Sequence, residues 1–151
     1  PNGYPAPGPK FDYKLSWMER LNKHAATLLK IEMPVVLAGD FNVIPHDIDC
    51  YDPQGWEGDA LTQEETRAAF FQLCHSGYTD AIRAFYPGVV MYSYWDYQAG
   101  AWQKDHGVRI DHLMLSPEAA DMLIAADIDK VPRGREKSSD HTPVWVELTN
   151  G

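Results

Sequence analysis

Gly39-Asp40-Phe41-Asn42 follows directly on an apolar run, Val35-Val36-Leu37-Ala38. Asp40 and Asn42 are two apart, so an extended backbone points both to one side. Such a carboxylate and amide can orient a water or a leaving oxygen. They can also hold Mg2+, which takes oxygen ligands and keeps several waters. The same residues equally suit a turn capped by its own side chains. Asp111 lies inside a second apolar run, Val108 to Leu115. A carboxylate there needs a partner, because an isolated buried charge is very costly. A histidine would serve, its tautomer fixed and its pKa raised by the acid. Of the six histidines, His141 is singled out by Asp140 beside it at the mouth of a third run, Val144 to Leu148. Tyr92, Tyr94, Trp95, Tyr97 and Trp102, flanked by Lys104 and Arg109, read either as core or as the lining of a base or sugar pocket.

The elements that must position these residues are legible in outline. Phe11, Leu15, Met18, Leu21, Ala25 and Leu28 recur at steps of three and four, which predicts an amphipathic helix over 12–30. Residues 1–9 read as loop. Residues 35–38 predict a strand buried on both faces. Residues 46–61, rich in Asp, Gly and Pro, predict a long functional or mobile loop. Thr62-Gln63-Glu64-Glu65 has the form of a capping box opening a helix that stops at Gly77. Thr79-Asp80 caps a short helix ending before Pro87, and 91–97 predicts a strand or sheet edge. Strands are expected at 108–115, 124–131 and 144–148, with a helix opening at Ser116-Pro117. Alternating strands and helices indicate α/β layers.

The 151 residues, 44% hydrophobic, suit one domain. No run approaches the roughly 18 apolar residues of a membrane span. Cys50 and Cys74 lack metal-type spacing and read as reduced thiols of a cytoplasmic protein. The net charge of −9 argues weakly against a DNA partner. A local basic face or a cation at a carboxylate site would offset it.

Four motifs occur in order: Gly-Asp-Phe-Asn at 39–42, Ser-Tyr-Trp-Asp-Tyr at 93–97, Gly-Val-Arg-Ile-Asp at 107–111 and Ser-Asp-His-Thr-Pro at 139–143. Together they resemble the exodeoxyribonuclease III family, within the endonuclease/exonuclease/phosphatase superfamily, from Pro1-Asn2-Gly3 to Leu148. The resemblance implies half of a four-layer α/β sandwich, two mixed β-sheets packed face to face and flanked by helices. It also implies cleavage of phosphodiesters in double-stranded DNA at abasic sites or 3′ ends. The activities are 3′→5′ exonuclease, apurinic/apyrimidinic endonuclease and 3′-phosphatase, with Mg2+, or Mn2+ in its place. By the same resemblance, Asp40 positions or deprotonates the attacking water, and Asn42 holds Asp40 and the scissile phosphate. Asp140 is associated with the metal, His141 contacts the phosphate and Asp111 orients His141. Asp40, Asn42 and His141 join Asp140 as metal candidates, and the division of base and metal roles stays open. Tyr94, Trp95 and Val108 would line the pocket for a flipped-out abasic sugar, with Lys104 near the DNA backbone.

The family's metal-binding glutamate, its early asparagine and a tyrosine just ahead of Pro-Asn-Gly have no counterpart here. Glu32, Glu57 and Glu64 lack the matching context. The resemblance therefore implies the C-terminal portion of such an enzyme, inactive without its N-terminal half. Two other readings remain: a phosphomonoesterase or phospholipase of the same superfamily, and a non-catalytic module that binds DNA or a partner.

Overall fold

The structure is a computed structural model and describes residues 8–149. The loop expected over 1–9 and the Pro1-Asn2-Gly3 motif therefore lie largely or wholly outside the described residues. Helix α1 spans Pro9–Leu29, with the proline in its first turn where a missing N–H costs nothing. Strand β1 is Val36–Asp40, α2 is Glu64–Ser76, β2 is Thr79–Asp80 and α3 is Ala81–Phe85. Then come β3 at Asp111–Leu115, α4 at Pro117–Asp121, β4 at Leu123–Ile128 and β5 at Val144–Leu148. Short 3-10 turns sit at Asp47–Asp49 and Pro132–Gly134. The mixed α/β class follows as the alternation indicated.

One sheet has the order β1-β3-β2 and the other pairs β4 with β5; every described pairing is antiparallel. The register places Leu37 opposite Met114 and Asp40 opposite Asp111. Side chains alternate across a strand, so the two sets part cleanly. Val35, Leu37 and Met114 pack with Met18, Ala25, Phe70 and Leu73 of the two long helices. Leu113 and Leu115 turn to the opposite face, where Ile82, Ala126, Ile128, Val144 and Val146 gather. Asp40 and Asp111 belong to that second face, at its end.

Four local expectations need correction. Strand β1 is not buried on both faces: Val36 is 37% exposed, because β1 is an edge strand and only its helix-facing side is covered by α1 and α2. Residues 91–97 form no ladder among the described residues. Their hydrogen bonds alternate between partners, Ser93 and Tyr94 N–H donating to Val108 O and Trp95 N–H to Asp140 O. Tyr94 thus makes isolated bridges to both Val108 and His141. The capping box is absent: Gln63 precedes α2 without a side-chain cap, and the Thr62 hydroxyl donates to Trp56 O and Asp59 O instead. Segment 46–61 is anchored, since Asp49 within it is fully buried. Elsewhere the end signals behave as read. Ser116 accepts from Ala119 N–H and Asp80 from Arg83 N–H, and Gly77 closes α2 at φ 124°.

Candidate active site

Sequence and sheet register together build the site. Strand β1 delivers Asp40 to its C-terminal end, and the chain then turns sharply because Asn42 adopts φ 49°, a left-handed conformation that asparagine tolerates better than most residues. The turn folds the side chains together: Asn42 N–H donates to Asp40 Oδ1 and Asn42 Nδ2 to Asp40 Oδ2, both at 2.8 Å. Asp40 is exposed, yet protein packed beneath the turn strips part of its hydration and raises its pKa. The Asn42 hydrogen bond opposes that shift, while the Asp111 charge adds to it.

Opposite Asp40, Asp111 Oδ2 lies 2.8 Å from His141 Nδ1 and accepts the Ser93 hydroxyl at 2.7 Å. Ser93 is fully buried, and its oxygen accepts from the N–H groups of Ile110 and Asp111. The loop carrying His141 is tied to the same segment by Thr142 N–H donating to Ser93 O. Side-chain exposures of 32% for His141 and 20% for Asp111 leave the pair half-open. The hydrogen bond to Asp111 raises the His141 pKa, burial opposes this, and the charges of Asp111, Asp40 and Asp140 add to it. Because Asp111 accepts, Nδ1 carries the proton, and the neighbouring carboxylate favours the cationic form of the imidazole. A cation beside two carboxylates and an amide can polarise an anionic ester while a carboxylate takes a proton from water.

Among the expected residues, the structure brings together Asp40, Asn42, Asp111 and His141. Asp140 adjoins through the chain, its oxygen 3.5 Å from the Ser139 hydroxyl. The metal set is incomplete. Asp40, Asn42 and Asp140 offer the oxygen donors that a hard divalent cation takes. Yet among the described residues no three His, Cys, Asp or Glu side chains group closely enough to hold a metal ion. Both Asp40 oxygens are turned to Asn42, and His141 Nδ1 is turned to Asp111.

Beside the site is a cavity of about 310 Å3, lined by Tyr51, Trp56, Tyr94, Lys104, His106 and Val108 among others. Tyr51 and His106 stack in parallel with centroids 4.4 Å apart, and Tyr94 meets the His141 ring edge-on at 5.0 Å. Burial, then the charges of Asp96 and Asp140, push the Tyr94 phenol up to about 12, so it stays a neutral donor. Trp95 does not line this cavity. It is 0% exposed, packs against Tyr92 and Trp102, and donates from Nε1 to Asp105. It follows Tyr94 in the chain and so turns the other way. Lys104 reaches the rim, with Nζ on Ala99 O.

Arg109 is no pocket cation either. It is fully buried and forks onto Asp49 (Nε to Oδ1 2.6 Å) and Asp80 (Nη2 to Oδ2 2.9 Å), while Arg83 also pairs with Asp49. Burial penalises the Asp49 charge most, but Arg109 and Arg83 outweigh it and hold the pKa below the usual carboxylate range. Sequence reasoning passed over Lys14 as well. Its Nζ donates to Asn42 O at 2.6 Å and to Ala60 O at 2.8 Å, fully buried. Burial drags its pKa down to about 8 against the charges of Asp59 and Asp40. The available signal was its place three residues after Phe11 and four before Met18, on the apolar stripe of α1.

The sequence profile of the Endonuclease/Exonuclease/phosphatase family matches residues 2–141. The exodeoxyribonuclease of Bacillus subtilis (strain 168) is 33% identical over 136 residues, covering 89% of this chain and 52% of that protein. A solved 3′-5′ exonuclease from Neisseria meningitidis superposes with a TM-score of 0.94 at 36% identity, over 97% of this chain and 57% of the other. An AP endonuclease from Archaeoglobus fulgidus gives a TM-score of 0.91 at 30% identity, with coverages of 97% and 57%. The chain spans about half the length of the curated relatives it matches. A match over nearly all of its residues decides the assignment: the chain belongs to the Endonuclease/Exonuclease/phosphatase family.

Proposed function

We propose that this chain is the C-terminal portion of a DNA-repair nuclease that hydrolyses phosphodiesters of double-stranded DNA at abasic sites and 3′ ends. The observation that carries the reading is the Asp111–His141 pair set across the strand register from the Asp40–Asn42 pair. A phosphodiester needs an in-line water and donors to its non-bridging oxygens. Asp40 orients the water and draws off its proton. Asn42 fixes Asp40, and His141, held by Asp111, donates to the phosphate. The site's relatives, named for 3′-5′ exonuclease and AP endonuclease activity, support the substrate class.

The cation of the reaction is proposed to be Mg2+, with Mn2+ as a substitute. Its role would be to offset charge on the phosphate. The described residues do not complete its site. A further carboxylate from the rest of a longer protein would complete the set, and the 151-residue chain alone is proposed to be inactive. The cavity floored by Val108 and walled by Tyr94 would take the sugar of the abasic nucleotide, with Lys104 toward the backbone. Among the described residues no helix is long and apolar enough to cross a membrane. The free thiols Cys50 and Cys74 support a cytoplasmic setting.

The deciding experiment offers the longer protein abasic duplex DNA, a 3′-phosphate duplex and a panel of phosphomonoesters and phospholipids, each with Mg2+. Cleavage confined to DNA supports the proposal. Turnover of phosphomonoesters or phospholipids instead of DNA moves the chain to another branch of the family. DNA binding without any cleavage makes it a non-catalytic module.

A further inference from the structure

Two successive carbonyls leave the Asp40–Asn42 turn, and each is gripped by a buried basic side chain from a different element. Lys14, on α1, donates to Asn42 O at 2.6 Å and shares its remaining reach with Ala60 O at 2.8 Å. His112, on β3, lies 2.9 Å through Nε2 from Val43 O. Its Nδ1 faces Arg109 Nη1 at 3.1 Å. Arginine has no acceptor, so Nδ1 accepts and the ring proton sits on Nε2, pointed at Val43 O. Lys14 is 0% and His112 1% exposed, and the His112 ring is wedged against Phe41 and Phe70 at 5.6 and 4.7 Å. Neither side chain reaches solvent or the open face that carries Asp40.

The turn they grip needs holding. Asn42 sits at φ 49°, a conformation that costs energy for any residue but glycine and persists where its surroundings over-determine it. Both Asp40 oxygens depend on that turn, because the backbone and side-chain donors of Asn42 supply their bonds. An extended Asn42 would release both.

We propose that Lys14 and His112 are positioning residues: together they clamp the Asn42 and Val43 carbonyls and so hold Asp40 and Asn42 in their working orientation. The catalytic consequence rests on the nuclease reading; the clamp itself does not, and is measured without turnover.

The test uses the intact protein with Lys14→Met and His112→Phe, which keep side-chain bulk and lose the donor. Met18→Ala, one turn along α1 in the same core, is the control for lost stability alone. In the first readout, hydrogen exchange of the Asn42 backbone amide should quicken by about tenfold in Lys14→Met and by a few-fold in His112→Phe, because its acceptor Asp40 is no longer held. Exchange in the middle of α2 should change no more than in the control. In the second, kcat should fall by about tenfold in Lys14→Met with KM within a factor of two, since misplacement acts on the chemical step. A variant that folds with Asn42 exchange and kcat both matching Met18→Ala overturns the role of that residue. Should Lys14→Met fail to fold, His112→Phe decides the matter. Quickened Asn42 exchange in the variants, together with a wild-type protein that cleaves no phosphodiester, keeps the clamp and discards the nuclease reading.

Discussion

Asp111 and His112 are neighbours on β3, yet they belong to two acid–base clusters of opposite character. On the open face, Asp111 pairs with His141, both half-exposed, and the imidazole pKa rises because an acid holds its proton. On the covered face, Arg109 and Asp49 are fully buried and Asp80 nearly so. There, His112 falls to about 4, burial first and the Arg109 charge second. The same side-chain types give one imidazole pushed toward its cation and one pushed toward its neutral form. Water and the sign of the nearest charge decide which. The covered cluster fixes geometry; the open one is available for chemistry.

The largest expected effect would break the covered cluster. Asp49→Ala leaves Arg109 and Arg83 without their carboxylate and should lower unfolding stability by about 3–5 kcal/mol, read by urea denaturation. A loss below about 1 kcal/mol would mean that solvent reaches these groups after all. On the open face the consequence should reverse. On the proposed function, His141→Ala, or Asp40→Asn, in the longer protein should cut cleavage at an abasic site by about a hundredfold, since each would remove a positioned base or charge stabiliser. Stability should hardly move, the histidine being partly solvated already. Near-normal turnover in either variant would show that the open cluster is not the working one.

The two clusters should also part by pH. Asp49 has a depressed pKa, so its contribution is present above the unfolded carboxylate value and is lost as pH falls through the folded one. His141 has a raised pKa, so its smaller contribution is full below the unfolded imidazole value and fades as pH rises through the folded one. Unfolding curves across the acid range should report the first. A histidine NMR titration should find His141 above about 6.5, the ordinary imidazole value, and His112 without a transition there. The smallest effect sharpens the join between the clusters. Ser93→Ala removes one donor to Asp111 and the acceptor of two buried N–H groups, and should cost about 1–3 kcal/mol, read by thermal melting.

The open cluster was readable because its members sit where apolar runs stop. Asp40, Asp111 and His141 each interrupt or abut a strand pattern, and polar residues there need a reason. Trp95 misled because alternation within 93–97 cannot say which of two aromatics faces the cavity until the neighbouring segments are placed. Asp49 was invisible: it lies in an Asp-rich stretch without period, and only the fold brings Arg109 over it. Lys14 left a trace, a cation on the helix's apolar stripe, but a long flexible side chain there more often reaches out to water. The helices and their ends were legible from spacing, from the stop at Gly77 and from the start at Pro117. The edge position of β1 was not, because strand order is a property of tertiary pairing.

The pairing of Asp40 with Asp111 ties the proposed reaction apparatus to strand register. Side chains alternate with a period of two, so inserting or deleting a single residue within β1 ahead of Asp40 would turn that carboxylate inward among Phe70 and Met18, or force the whole edge strand to flip. Adding the same residue to the turns between Pro53 and Asp59, away from the ladder, leaves the alternation intact. Length variation in this chain therefore leaves the ladder untouched in that loop but is forbidden across five residues of an edge strand, however exposed those five are.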